Sequence, residues 1–259
     1  MRLHALNLAL ACVLVAPGPE VRATQDAVDG FVARSFTGAN GVTMPYRLFV
    51  PDARARAKPL PLIVYLHGSG GAGTDNLKQI SGGNNAGTHV WIAPELQARH
   101  PAFVLAPQAA VDQQWGEPES GKVTLYAGLV LELLAALPKE FSIDRDRIYL
   151  TGQSRGGFGT WDLITKRPEV FAAAVPLCGA GNPSRVAAAR HVAIWAFHGA
   201  KDDTVPVSGS RDLVAALKAV GSPVKYTEYP EAGHNVWLLA YAERDLPDWL
   251  FAQRRKPGR

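Results

Sequence analysis

At 259 residues the chain has the length of a single α/β domain and needs no second core. A hydrophobic share of 47% beside 19% charged residues excludes collagen-like and disordered compositions. The formal net charge is only +4, and no lysine/arginine face interleaves with aromatics, so nucleic-acid binding has no support.

The chain opens with Arg2 and a mostly apolar run over 5–16, then Pro17, Gly18, Pro19 and the segment Val21-Arg22-Ala23. That order reads as an export signal over residues 1–23, cut after Ala23, followed by one domain over 24–259. The apolar run is too short to anchor the chain in a bilayer, so the expected destination is secreted or periplasmic. Past the cut, Cys178 is the only cysteine, which excludes an intramolecular disulfide. It follows the apolar run 172–177 and reads as a buried small hydrophobe. No cysteine or histidine pair has metal-ligand spacing, so neither a metal nor a cofactor is expected. The basic cluster Arg54, Arg56 and Lys58 lies among prolines and alanines and reads as a solvated loop.

Short β-rich runs then alternate with helical patterns, which predicts a mainly parallel sheet with helices on both faces. Segments 31–37 and 46–50 flank Gly38-Ala39-Asn40-Gly41 and read as an opening antiparallel hairpin. The continuous apolar runs 62–66 and 103–106 read as strands buried on both sides. Segments 148–151, 172–177, 192–197 and 224–229 bring the expected sheet to eight strands. Helices are predicted over 124–137, closed by Pro138, over 158–166, over 210–220, stopped by Gly221, and over 246–253. Trp161, on the second of these, reads as core. Two glycine-rich loops, 68–73 and 81–87, are too long for simple turns. The first follows a buried strand, where sites form in α/β sheets.

Between strand 148–151 and helix 158–166 stands Gly152-Gln153-Ser154-Arg155-Gly156-Gly157. A serine on a sharp strand-to-helix turn projects its hydroxyl away from the backbone, and the glycines let strand and helix pass closely. Such a hydroxyl is a weak nucleophile at neutral pH without a base in reach, and the base needs an orienting carboxylate. Both follow, each in the loop after a strand. His198-Gly199-Ala200-Lys201-Asp202-Asp203-Thr204-Val205-Pro206 offers Asp202 or Asp203, and Glu231-Ala232-Gly233-His234-Asn235-Val236-Trp237 offers His234. His67 and His198 each precede a glycine at a strand end and read as hydrogen-bonded structural histidines. Trp237, three residues past His234, is a candidate to border the site.

These motifs resemble the α/β-hydrolase superfamily, among its secreted phospholipase/carboxylesterase-like esterases with feruloyl-esterase-like and polyhydroxybutyrate-depolymerase-like branches. The resemblance rests on Leu66-His67-Gly68-Ser69-Gly70, the segment around Ser154, His198-Gly199-Ala200-Lys201-Asp202 and Gly233-His234-Asn235, spread over nearly the whole mature chain. It implies Ser154 as nucleophile, His234 as general base and Asp202 as orienting acid, since the pattern His-Gly-x-x-Asp-x-x-Val-Pro selects Asp202 over Asp203. It implies an oxyanion hole from the backbone N–H groups of Ser69 and Arg155; Gly70, Gln153 and Trp237 are candidates to line the pocket. Arg155 is a departure, because relatives often carry methionine there. Only residues 178–191 separate the sixth strand from the seventh, too few for a cap domain, so the site should be open. The implied function is a secreted serine hydrolase that cleaves carboxylic esters through an acyl-enzyme. Its expected partner is a small-molecule or polymer-borne ester, with no nucleic acid or membrane anchor, and it acts as a monomer. A serine peptidase or amidase of the same fold and a non-catalytic hydrolase-like binding protein are the alternatives.

Overall fold

The computed structural model describes residues 20–52 and 58–255. Most of the expected export signal (1–19) and Arg54 and Arg56 of the basic loop therefore lie outside the described residues.

The runs that are apolar on both sides form the middle of the sheet. β4 (Leu60–Leu66) and β5 (Phe103–Pro107) are buried at every position. β6 (Ile143–Gln153), β7 (Ala173–Leu177), β8 (Ala193–Gly199) and β9 (Lys225–Tyr229) continue outward from β4 in that order, all parallel. On the other side of β4 lies β5, parallel to it, followed by the antiparallel meander β3 (Thr43–Phe49), β2 (Phe31–Thr37) and β1 (Glu20–Val28). Among the described residues the sheet thus has nine strands where eight were expected. The extra one, β1, is an edge strand whose sequence EVRATQDAV mixes charged and small residues, and an edge needs little apolar signal. Its register against β2 shifts between Ala23 and Ala27, so the expected cut after Ala23 falls inside the strand.

Period-2 alternation sorts the strand side chains into two cores. Leu62, Val64, Leu66, Ile148 and Leu150 face one side, where α3 (Leu125–Ala136), α4 (Arg155–Lys166) and α5 (Ser208–Ala219) pack. Ile63, Tyr65, Val104 and Tyr149 face the other, covered by α1 (Asn85–Ile92), α2 (Pro94–Arg99), α6 (Trp237–Ala240) and α7 (Leu246–Phe251). Thr124 caps α3, its hydroxyl accepting from the Ala127 N–H. Trp161 is core, as expected, at 1% exposure.

Helices α1 and α2 were not legible. The glycines of 81–87 read as loop, but Gly87 lies inside α1, where a Cβ would run into the Tyr65 ring. Residues 178–192 hold a single 3-10 turn, Val186–Ala189, so no cap domain separates β7 from β8. The chain leaves β4 toward β5 on one side and returns to β6 on the other. The carboxyl end of β4 is therefore a topological switch point, where α/β sheets open a crevice.

Candidate active site

Four loops meet at that carboxyl edge. β6 does not end before the nucleophile motif; it runs to Gln153, and α4 starts at once with Arg155. Ser154 alone makes the turn, at φ 54° and ψ −120°, a left-handed conformation that disfavours side chains. Its N–H donates to Leu177 O at 3.0 Å and to Cys178 Sγ at 3.3 Å, so β7 holds the strained backbone in place. Gly156 is obligatory, since a Cβ there would collide with the Leu66 carbonyl at the end of β4.

Asp202 and His234 come from adjacent strands. The loops after β8 and β9 are joined by Ala200 N–H to Tyr229 O and Lys201 N–H to Ala232 O, both 2.9 Å, and by a Lys201–Glu231 ion pair. A side chain on Gly199 would meet the Ala232 and Gly233 carbonyls, so glycine sets this approach as well.

The outcome is one continuous chain of hydrogen bonds. His234 Nε2 lies 2.8 Å from Ser154 Oγ, and His234 Nδ1 lies 2.8 Å from Asp202 Oδ2. Because Nδ1 faces a carboxylate, the neutral ring carries its proton there and offers Nε2 as acceptor to the serine hydroxyl. Asp202 Oδ1 accepts from the N–H groups of Val205 at 2.8 Å and Thr204 at 2.9 Å. Burial alone would raise the Asp202 pKa, but hydrogen bonds from Val205, His234 and Thr204 outweigh it and hold the carboxyl below its ordinary value. It is ionised at neutral pH. Asp203 stays outside, its carboxylate accepting from the Thr204 hydroxyl at 3.2 Å.

Ser69 and Arg155 each occupy the first position of a helical turn, where a backbone N–H has no intrahelical partner. The turn that carries Ser69 is braced by buried side chains, two of which, Asn84 and Gln108, sequence reasoning missed. Asn84 Oδ1 accepts from Gly68 N–H at 3.1 Å and from the Tyr65 hydroxyl at 3.0 Å. Gln108 donates to Gly71 O at 3.1 Å and to Asp75 at 2.8 Å. His67 Nε2 accepts from Ala109 N–H at 3.0 Å while Nδ1 donates to Gly68 O at 2.7 Å, the structural role expected of it. No motif marks Asn84 or Gln108, because each acts only through a fold contact distant in sequence.

Gly70 is exposed, with open space where a side chain would stand. Gln153 is buried, and its amide donates to Gly83 O at 3.0 Å as a brace between loops. The Arg155 guanidinium reaches Ala110 O and Val111 O, both at 3.3 Å, and so ties the opposite rim to α4. Trp237 stands edge-on to the His234 ring, centroids 5.5 Å apart at 90°, with Leu238 and Leu239 exposed beside it. Cys178 is buried as expected, and burial pushes its thiol up to about 12, which removes it as a nucleophile. Among the described residues, Cys178, Asp202 and His234 are the group whose donor atoms, within 4.8 Å of one another, could share a metal ion. Those of Asp202 and His234 are already committed to each other.

A serine–histidine–aspartate chain at the carboxyl edge of this sheet belongs to the α/β-hydrolase architecture. Residues 47–241 match the dienelactone hydrolase family, and the chain belongs to it. A crystal structure of a thermostable esterase superposes with a TM-score of 0.83 at 40% identity, over 88% of this chain and 64% of that one. A bifunctional acetylxylan esterase/xylanase of Neocallimastix patriciarum is 28% identical over 56% of this chain and 20% of its own length. Poly(3-hydroxyalkanoate) depolymerase C of Paucimonas lemoignei is 32% identical over 46% of this chain and 28% of its own. The chain thus spans less than two thirds of each of these relatives.

Two outcomes follow from the site's geometry. Ser154→Gly relieves a backbone strain of about 1–3 kcal/mol, so the variant should unfold at higher denaturant than the parent while losing the hydroxyl. An unchanged or lower midpoint would contradict a strained serine. Burial also lowers the His67 pKa from 6.5 to about 4. The unfolded chain then takes up this proton first, so the stability present above about pH 6.5 declines as pH falls toward 4, by up to about 3 kcal/mol. Denaturant titrations across that window should show a shallower decline in His67→Gln, and parallel curves would refute the assignment.

Proposed function

We propose that this protein is a serine esterase that hydrolyses carboxylic esters through an acyl-enzyme. The observation that carries the proposal is the unbroken chain Ser154 Oγ–His234–Asp202, with both contacts at 2.8 Å. His234 Nε2 takes the hydroxyl proton as Ser154 Oγ bonds to the ester carbonyl carbon, and the carbonyl electron pair moves onto oxygen. The Ser69 and Arg155 N–H groups stabilise that oxyanion. When the carbon–oxygen bond to the alcohol breaks, His234 returns the proton to the leaving alkoxide. Water then attacks the acyl-enzyme with His234 again as base, releasing the acid and restoring Ser154. Asp202 stays ionised throughout and stabilises the imidazolium.

Ester hydrolysis is favoured by the esterases among the relatives and by an alcohol being a better leaving group than an amine. The absence of a cap between β7 and β8 and the exposed Leu238, Leu239 and Val111 near the cleft fit an ester borne on a polymer or carrying apolar groups. Secretion belongs to the same proposal. A relative from Arthroderma benhamiae is described as a secreted protein, and no described helix is long and apolar enough to cross a membrane.

Ser154→Ala should lower kcat on a panel of acyl esters by about 10⁴-fold or more without changing the fold by circular dichroism; turnover near the parent level would end the proposal. Ser69→Pro removes one N–H at a position where a proline ring fits, since Gly68 before it is extended (φ −70°, ψ 179°). Its kcat should fall about 10²–10³-fold while the melting temperature stays close to the parent's; unchanged kcat would remove Ser69 from the oxyanion hole. N-terminal sequencing of exported protein should begin at Thr24, and an intact Met1 in the medium would refute the signal.

A further inference from the structure

The catalytic carboxylate of the proposed esterase has a second imidazole beside it. His198, the penultimate residue of β8, is fully buried. Its Nε2 lies 3.0 Å from Val205 O and 3.2 Å from Asp202 Oδ2, the same oxygen that receives His234 Nδ1. Its Nδ1 lies 2.8 Å from the hydroxyl of Ser210, a buried residue in the first turn of α5, and that hydroxyl lies 3.1 Å from Gly179 O. Nε2 faces two acceptors, so the neutral ring carries its proton there. Nδ1 is then an acceptor, and the single proton of the Ser210 hydroxyl lies between it and Gly179 O. Burial, the largest influence, lowers the His198 pKa and keeps the ring neutral.

We infer that His198 is a positioning residue that holds the Asp202 turn in register with His234. The bond from Nε2–H fixes the carbonyl of Val205, and Val205 N–H is itself a donor to Asp202 Oδ1. The same N–H edge places positive potential beside Oδ2. A carboxylate held at both oxygens cannot rotate away when His234 becomes cationic. Because the ring is neutral, it does not compete as a cation for Oδ2. The inference rests on the esterase reading only for its kinetic consequences.

The test compares His198→Phe, His198→Gln and His198→Asn, with Ser210→Ala. A glutamine amide extends as far as Nε2 and can donate to Val205 O, whereas asparagine reaches only the Nδ1 position beside Ser210. On the best ester of a panel, His198→Phe and His198→Asn should lose about 10–100-fold in kcat with KM within about threefold, the loss of an interaction made in the transition state. His198→Gln should recover most of that loss, and Ser210→Ala should lose less than His198→Phe. If His198→Phe does not fold, the Gln/Asn contrast decides alone, and equal kcat in those two overturns the inference. A kcat in folded His198→Phe within threefold of the parent overturns it as well. The low-field proton resonance of His234 Nδ1–H reads the resting protein without any substrate. It should move in His198→Phe and stay near its place in His198→Gln, and an unmoved signal in both counts against positioning. A protein inactive on every ester whose resonance nonetheless moves as described would remove the esterase reading and leave this inference standing.

Discussion

Two places where backbone passes backbone with no room for a side chain set the geometry of the cleft. Gly156 lets α4 rise directly past the end of β4, and Gly199 lets the loop after β8 lie against the loop after β9. Without the first, Ser154 could not make its single-residue turn next to the Ser69 loop. Without the second, Asp202 and His234 could not lie within a hydrogen bond of each other. The side-chain chemistry depends on these steric permissions, because hydrogen-bond distances to a serine hydroxyl tolerate little displacement.

The rest of the site is held rigid around those crossings. The Ser69 turn is tied down by Asn84, Gln108 and His67, and the Asp202 turn by its own N–H donors and His198. None of these groups need touch substrate. They fix dipoles in place, so that in the proposed reaction donors and carboxylate need not reorganise as charge develops. The strain at Ser154 has the same source: flanking strands force a conformation that turns the hydroxyl toward His234.

Much of this was legible in the sequence. Strands apolar on both sides, such as 62–66 and 103–106, could only be interior, and glycine beside serine at a strand-to-helix junction admits few structures. Ser154, Asp202 and His234, which the structure joins in one hydrogen-bonded chain, could be singled out because each lies at a strand end inside a short motif. What escaped had no local signature. β1 is a polar edge strand paired, among the described residues, only with β2, and α1 begins within a glycine-rich stretch in which Tyr65 leaves no room for a side chain at Gly87. Asn84 and Gln108 are ordinary polar residues until the fold brings them to the Ser69 turn. Gln153, a candidate for pocket lining, is buried in the structure, and strand alternation turns its amide toward Gly83 O.

The convergence of three distant side chains on one hydroxyl can be read from the rate at which a fluorophosphonate forms a covalent adduct. Mass spectrometry of the labelled protein should locate the adduct on Ser154, and His234→Ala should slow its formation by on the order of 10³-fold or more. Adduct formation at equal rates in the parent and His234→Ala, or on any residue other than Ser154, would contradict an activated serine.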